Sequence, residues 1–122
     1  MVRRTPPKPD SDPDEWSTNQ ASNYARAYCQ SEEVDILWSN HLWVKHPERN
    51  ITRGNIVEVL AQGNVFRKEP PNAKYVDWTW TTRKQVGERT LEVVFAVSKT
   101  ILTGVPSLPY RLIFVTAYDS NA

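Results

Sequence analysis

Apolar positions along the chain change their period near Gly63, from helical spacing before it to alternation after it. Between Trp16 and Gln30, Ala21, Tyr24, Ala25 and Tyr28 recur at i, i+3, i+4 and i+7, the stripe of an amphipathic helix that Ser17 or Thr18 can cap. Val34, Ile36 and Trp38 alternate, which predicts a short strand over 34–38. Two short helices follow. Ser39 can cap the first, which holds Leu42, Trp43 and Lys45. It stops before Pro47, because proline lacks an amide hydrogen and restricts His46 before it. Thr52 reads as the N-cap of the second, with Ile56, Val59 and Leu60 as its buried face. Gly63 is expected to be the left-handed residue past its end.

Beyond Gly63 the pattern predicts strands. Val65–Arg67 is a short one, and the prolines and asparagine of Glu69–Ala73 mark a loop. Lys74–Thr82 alternates, with Val76, Trp78 and Trp80 on one face and Tyr75, Asp77, Thr79 and Thr81 on the other. Gly87 marks a turn. Arg89–Ser98 follows with Leu91, Val93, Phe95 and Val97 on one face, then a loop over Lys99–Pro109. Tyr110–Tyr118 is the last strand, Leu112 and Phe114 facing one way and Arg111, Ile113 and Val115 the other. Helices first and strands afterwards predict an α+β domain, with short helices packed on one face of a three- to four-stranded antiparallel sheet. The opposite face, with Tyr75, Asp77, Thr79, Arg111 and, depending on register, Arg89, is a plausible floor for a binding groove.

Composition narrows the possibilities. With 122 residues the chain fits one domain, read as 16–122 behind a tail over 1–15 rich in proline and charge. One cysteine, Cys29, excludes an internal disulfide and a cysteine-rich metal site. No apolar run approaches the roughly 20 residues that span a bilayer, so no membrane association and a cytoplasmic location are expected. The net charge of +1 divides into −2 over residues 1–33 and +3 over 34–122, which permits nucleic acid as a partner without demanding it. The basic Arg3–Arg4 start and the acidic Asp10, Asp12, Asp14 and Glu15 read as a solvated leader or as a contact for a partner.

Chemistry concentrates in Trp38–Gly63, which holds both histidines, His41 and His46, with Lys45, Arg49 and Arg53 close by. An imidazole titrates near neutral pH and suits proton transfer, and guanidinium suits a phosphate. Histidines at i and i+5 do not face one another on a helix, so no metal is expected, and no cofactor motif occurs. Each residue also has a plain structural reading. His41 can be a half-buried hydrogen-bonded residue, His46 can close a turn, and Arg111 can pair with Asp77 or Glu92.

The run W-S-x-H-x-x-x-K-H-P-E-R-x-I-T (Trp38 to Thr52), the helix I-V-E-V-L ending at Gly63, E-R-T-L-E-V-V (Glu88 to Val94) and R-L-I-F-V-T-A-Y (Arg111 to Tyr118) resemble the small RelE/BrnT-like superfamily. The likeness is closer still to its uncharacterised members with a His…Arg-x-Ile-Thr…Val-Leu-x-x-Gly signature. The resemblance covers about residues 34–119 and implies a helix-on-antiparallel-sheet fold. Characterised members are toxins of toxin–antitoxin pairs that cleave RNA without a metal. The likeness therefore implies RNA, free or ribosome-bound, as substrate and a protein antitoxin as partner. It places catalytic roles on His41, Lys45 or His46, Arg49, Arg89 and Arg111. Lys45, Arg53, Tyr75 and Tyr118 are candidates for substrate contact, the tyrosines by stacking on a base. The N-terminal tail and helix are extra, and a C-terminal helix of some relatives is missing. The alternative expectation is a non-catalytic RNA- or protein-binding module of the same fold. A third is a phage or mobile-element protein acting on a host partner through the Trp/Tyr-rich sheet face.

Overall fold

The computed structural model describes residues 12–31, 35–101, 108 and 110–121, without the side chains of 99–101. Three helices precede four strands: α1 (Thr18–Gln30), α2 (His41–Lys45), α3 (Arg53–Gln62), β1 (Asn64–Glu69), β2 (Thr79–Val86), β3 (Arg89–Ile101) and β4 (Tyr110–Asp119). The strands form one antiparallel sheet in the order β1-β2-β3-β4. The α+β expectation holds, with four strands.

Local chemistry explains where the two longer helices begin. Ser17 and Gln20 form a reciprocal capping box at α1, and Thr52 and Asn55 form another at α3. Each box satisfies two amides that the first turn leaves unpaired, and an N-cap contributes about 1 kcal/mol. The predicted stripes are buried: Ala21, Tyr24, Ala25 and Tyr28 on α1, and Ile56, Val59 and Leu60 on α3. These faces pack on one another and on the sheet. Beneath them β3 contributes Leu91, Val93, Phe95 and Val97, all buried, joined by Trp80 and Leu112. Tyr24 Oη donates to the Tyr110 carbonyl and accepts from the Tyr110 amide, both at 2.7 Å, which ties α1 to the start of β4.

Several expectations are revised. Pro13–Glu15, counted with the tail, forms a turn of 3-10 helix started by the Asp12 carboxylate accepting from the Asp14 amide, and Trp16 beyond it is buried. Residues 1–11, including Arg3, Arg4 and Asp10, lie outside the described residues, as does Val34. The strand predicted over 34–38 shrinks to one parallel bridge, Leu37 to Ile113. Trp38 leaves the sheet there to pack on Trp43 and Phe114, at 6.2 and 5.6 Å between ring centroids. Asn40 rather than Ser39 occupies the N-cap position of α2, while the Ser39 hydroxyl accepts from the His41 amide at 3.2 Å.

Lys74–Trp78 is not strand. Asn72 Oδ1 accepts from the amides of Lys74 and Tyr75 at 2.7 and 3.0 Å, closing a turn that the alternating pattern conceals. Val76 is consequently 87% exposed, while Trp78 is covered by the Lys68 ammonium at 4.5 Å. β2 begins at Thr79, and β3 continues to Ile101, into the stretch read as a loop. Gly63 is extended (φ −79°, ψ −178°), and the left-handed position nearby belongs to Asn50 (φ 50°). Glycine at 63 answers to space: a Cβ there would lie 2.5 Å from the Val59 carbonyl oxygen, 2.7 Å from Thr82 Oγ1 and 2.8 Å from the Arg83 carbonyl oxygen. Gly87 does take the left-handed turn predicted for it, at φ 63°.

Gly63→Ala should lower stability by about 3 kcal/mol, the upper end of an overpacking cost, because two of the three contacts are backbone. Gly54→Ala, whose Cβ would meet only Thr52 Oγ1 at 3.6 Å, should be neutral or raise stability by about 0.5 kcal/mol. Urea unfolding of the pair distinguishes space from backbone freedom. Tyr24→Phe should cost about 1–3 kcal/mol at neutral pH by removing the hydroxyl that bonds both the amide and the carbonyl of Tyr110. Burial also raises the Tyr24 pKa above its ordinary value, so above about pH 10 the unfolded chain releases this proton first and stability falls as pH rises. That alkaline loss should be shallower in Tyr24→Phe, measured by denaturation between pH 8 and about 11.

Candidate functional site

The register places polar side chains on the sheet face away from α1 and α3. Arg67, Thr81, Val94 and Thr116 lie in one cross-strand row, and Arg83, Glu92 and Tyr118 in the next. A bulge between Phe114 and Thr116, opposite Val94 and Phe95, shifts the alternation of β4, so that Thr116 and Tyr118 share this face. The result is a cleft of about 820 Å³ lined by Ser39, His41, His46 and Arg49 from one side, Asn72, Lys74 and Tyr75 from the other, and Arg67, Thr79, Thr116 and Tyr118 from the sheet.

The wall beside β4 is fixed to the sheet. Trp43 packs on Phe114 at 5.7 Å and its indole N–H donates to the Ile51 carbonyl at 2.7 Å. The Pro47–Arg49 3-10 turn is held by Arg49, whose Nη1 donates to the Ala117 carbonyl at 3.0 Å and to Thr116 Oγ1 at 3.3 Å. The Asn72 turn holds the opposite wall and presents Lys74 beside the Tyr75 ring, 5.3 Å from its centroid.

On the floor, Glu92 is only 5% exposed. Its carboxylate lies 3.7 Å from Arg67 Nη2 and 3.4 Å from Arg83 Nε. Arg67 also pairs with Glu69 at 3.0 Å and donates to Tyr118 Oη at 2.9 Å. Burial, followed by a hydrogen bond to Glu92 and its negative charge, raises the Tyr118 pKa above the ordinary tyrosine value, against the opposing pull of Arg67. Tyr118 is therefore a neutral hydroxyl donor over the physiological range.

The imidazoles of His41 and His46 lie 6.3 Å apart between centroids and near perpendicular. His46 Nδ1 is 3.3 Å from Glu48 Oε1. A carboxylate only accepts, so this contact puts a proton on Nδ1 and leaves Nε2 of neutral His46 as the acceptor. Glu48 is held below the ordinary carboxylate range, first by a hydrogen bond from its own backbone amide and then by His46. His41 is exposed on the same rim.

Of the residues singled out from sequence, His41, His46, Arg49, Tyr75 and Tyr118 therefore meet in one cleft. Arg89 does not line it. It occupies an adjoining recess with Glu48, Asn50 and Asp119, and its Nη1 donates to the carbonyls of Arg49 and Asn50 at 3.2 and 2.9 Å. Arg111 is bound elsewhere, to the Asp35 carboxylate at 3.1 Å rather than to Asp77 or Glu92. Arg53 stacks on Trp38 and Trp43 at 5.0 and 5.5 Å, and Lys45 is exposed outside the cleft lining. Thr79 was read as part of the floor, whereas Arg67, Lys74, Glu92 and Thr116 were not foreseen. Their signal is positional, since only the strand register brings β1, β2 and β3 residues under the histidines. Among the described residues no group of three or more His, Cys, Asp or Glu is placed to hold a metal ion, and no helix is long and apolar enough to cross a membrane. Burial pushes the Cys29 thiol up to about 12, so this cysteine is unreactive.

The Glu92–Tyr118 contact is directly measurable. Glu92→Gln should lower the Tyr118 pKa, because it removes the charge and the strong acceptor that favour the neutral phenol. Site-resolved NMR titration of the Tyr118 ring carbon reports it, and an unchanged titration would show that burial alone sets the value.

The chain matches no protein-family model, no curated protein and no solved structure.

Proposed function

We propose that the cleft binds and cleaves RNA without a metal, and that a protein antitoxin holds this activity in check by covering it. The supporting observation is the convergence of two imidazoles, Arg49, Lys74 and Tyr118 on one accessible concave surface. The resemblance noted in the sequence points to the same chemistry.

In this reading His46 Nε2, oriented through its Nδ1 contact with Glu48, takes the proton of a ribose 2′-hydroxyl. The 2′-oxygen attacks the adjacent phosphorus. The bond from phosphorus to the 5′-oxygen breaks, and protonated His41 gives its proton to that leaving oxygen. The products are a 2′,3′-cyclic phosphate and a 5′-hydroxyl, with one proton accepted and one donated. Arg49 and Lys74 stabilise the charge that builds on the phosphorane oxygens. Arg111, engaged with Asp35, has no part in it.

Incubating the folded protein with free RNA in the presence of EDTA, and separately with ribosomes in magnesium buffer, tests the reading. Cleavage should appear, His46→Ala and His41→Ala should each lower its rate about 10²–10⁴-fold, and Arg111→Ala should leave it within a few-fold. In cells, induction should arrest growth and His41→Ala should relieve the arrest. Folded protein that binds RNA tightly and leaves it intact in both settings would establish a binding module instead.

A further inference from the structure

We propose that the β1 edge beside the cleft carries a nucleobase-stacking platform, built from Phe66 and Arg83, for a single-stranded RNA segment leaving the cleft. This inference rests on the reading of the cleft as an RNA site. β1 is an edge strand of the sheet, and its ladder with β2 is interrupted between Val65 and Arg67. Phe66 is the extra residue, so its side chain is released from the alternation and is 40% exposed, while Val65 beside it is buried. One exposed phenylalanine means little by itself. Here, however, the Arg83 guanidinium sits 4.0 Å from the ring centroid and that of Arg67 5.1 Å from it.

Both arginines are held in place from beneath by the Glu92 carboxylate, so the platform is ordered before any ligand arrives. Arg67 also lines the cleft, which makes the platform continuous with it. Glu92 and Glu69 already offset much of the charge of these arginines, so what the platform offers is planar surface rather than phosphate attraction. Flat aromatic and guanidinium surfaces take up unstacked bases with little sequence preference. Bases in a duplex are already stacked and are denied to it.

The test uses the full chain and uncleavable 2′-O-methyl RNA, as a trinucleotide, an octanucleotide and the octanucleotide annealed to its complement. Fluorescence anisotropy gives the affinities. Wild type should bind the single-stranded octanucleotide more tightly than the trinucleotide. Phe66→Ala and Phe66→Leu should each lower octanucleotide affinity about 10-fold, trinucleotide binding should not change, and Phe66→Trp should keep or strengthen the octanucleotide complex. The salt dependence should be the same in all four proteins, since no phosphate contact is removed. Octanucleotide binding unchanged in Phe66→Ala, or equal binding of the duplex, overturns the platform while leaving the cleft reading intact. If the wild type binds neither single strand, the cleft is not an RNA site and the platform falls with it.

Discussion

Burying the Glu92 carboxylate organises the sheet face that forms the cleft. A charge taken out of water needs partners, and a single missing one leaves an uncompensated ion. Glu92 finds Arg67 on β1 and Arg83 on β2, and Tyr118 on β4 shares its hydroxyl with the same network. The contributions come from every strand of the sheet, so this network forms only when all three ladders are in register. The bulge opposite Val94 and Phe95 is part of the requirement, since without its one-residue shift Tyr118 would face the core.

The two sheet faces then divide the labour. On one, α1 and α3 cover Trp80, Leu91, Val93 and Phe95 and supply most of the apolar burial. On the other, the floor is polar yet largely covered, with Thr79 and Thr81 only 3% and 2% exposed beneath longer side chains. The walls belong to short or irregular segments, α2 with its following 3-10 turn and the Asn72 turn, whose own hydrogen bonds are too few to fix them. The wall beside β4 borrows rigidity from strands: Trp43 on Phe114, Arg49 on the Ala117 carbonyl, and Arg89 on the carbonyls that end the 3-10 turn. Arg89 thus serves the cleft as a brace. Chemical groups on loops held by a sheet are a common way of combining access with precision.

What was legible in the sequence follows the range of the interactions. The stripes of α1 and α3 and the alternation of β3 are set by neighbours within a few residues, and they appear where the pattern places them. His41, His46 and Arg49 are close in sequence, so their convergence was readable too. Where a side chain competes with the backbone the pattern misleads, as when Asn72 turns the alternating Lys74–Trp78 away from the sheet. Gly63 looked like a helix terminator and is one, but through close approach of three oxygens rather than a left-handed backbone. Arg67 and Glu92 were invisible as site residues because their meeting depends on the pairing of β1, β2 and β3, which no local pattern encodes. The pairing of Arg111 with Asp35 was missed for the same reason, 76 residues separating the two.

The distribution of charge in and beside the cleft separates the cations by role. Arg67 meets Glu69 and Glu92, and Arg83 meets Glu92, so neither brings a full positive charge to an incoming anion. Arg49 is different. Its guanidinium donates to a carbonyl and a hydroxyl, and among the described residues no carboxylate lies within ion-pair distance of it. A guanidinium held by neutral acceptors is oriented without being neutralised, which is the condition under which it stabilises developing phosphorane charge most. Arg49 also sits on the turn that follows His46, so the group that would take the proton and the group that would hold the phosphate are positioned by the same few backbone contacts. A displacement of that turn would remove both functions together, which is why its anchoring to β4 matters as much to the proposed chemistry as the histidines themselves.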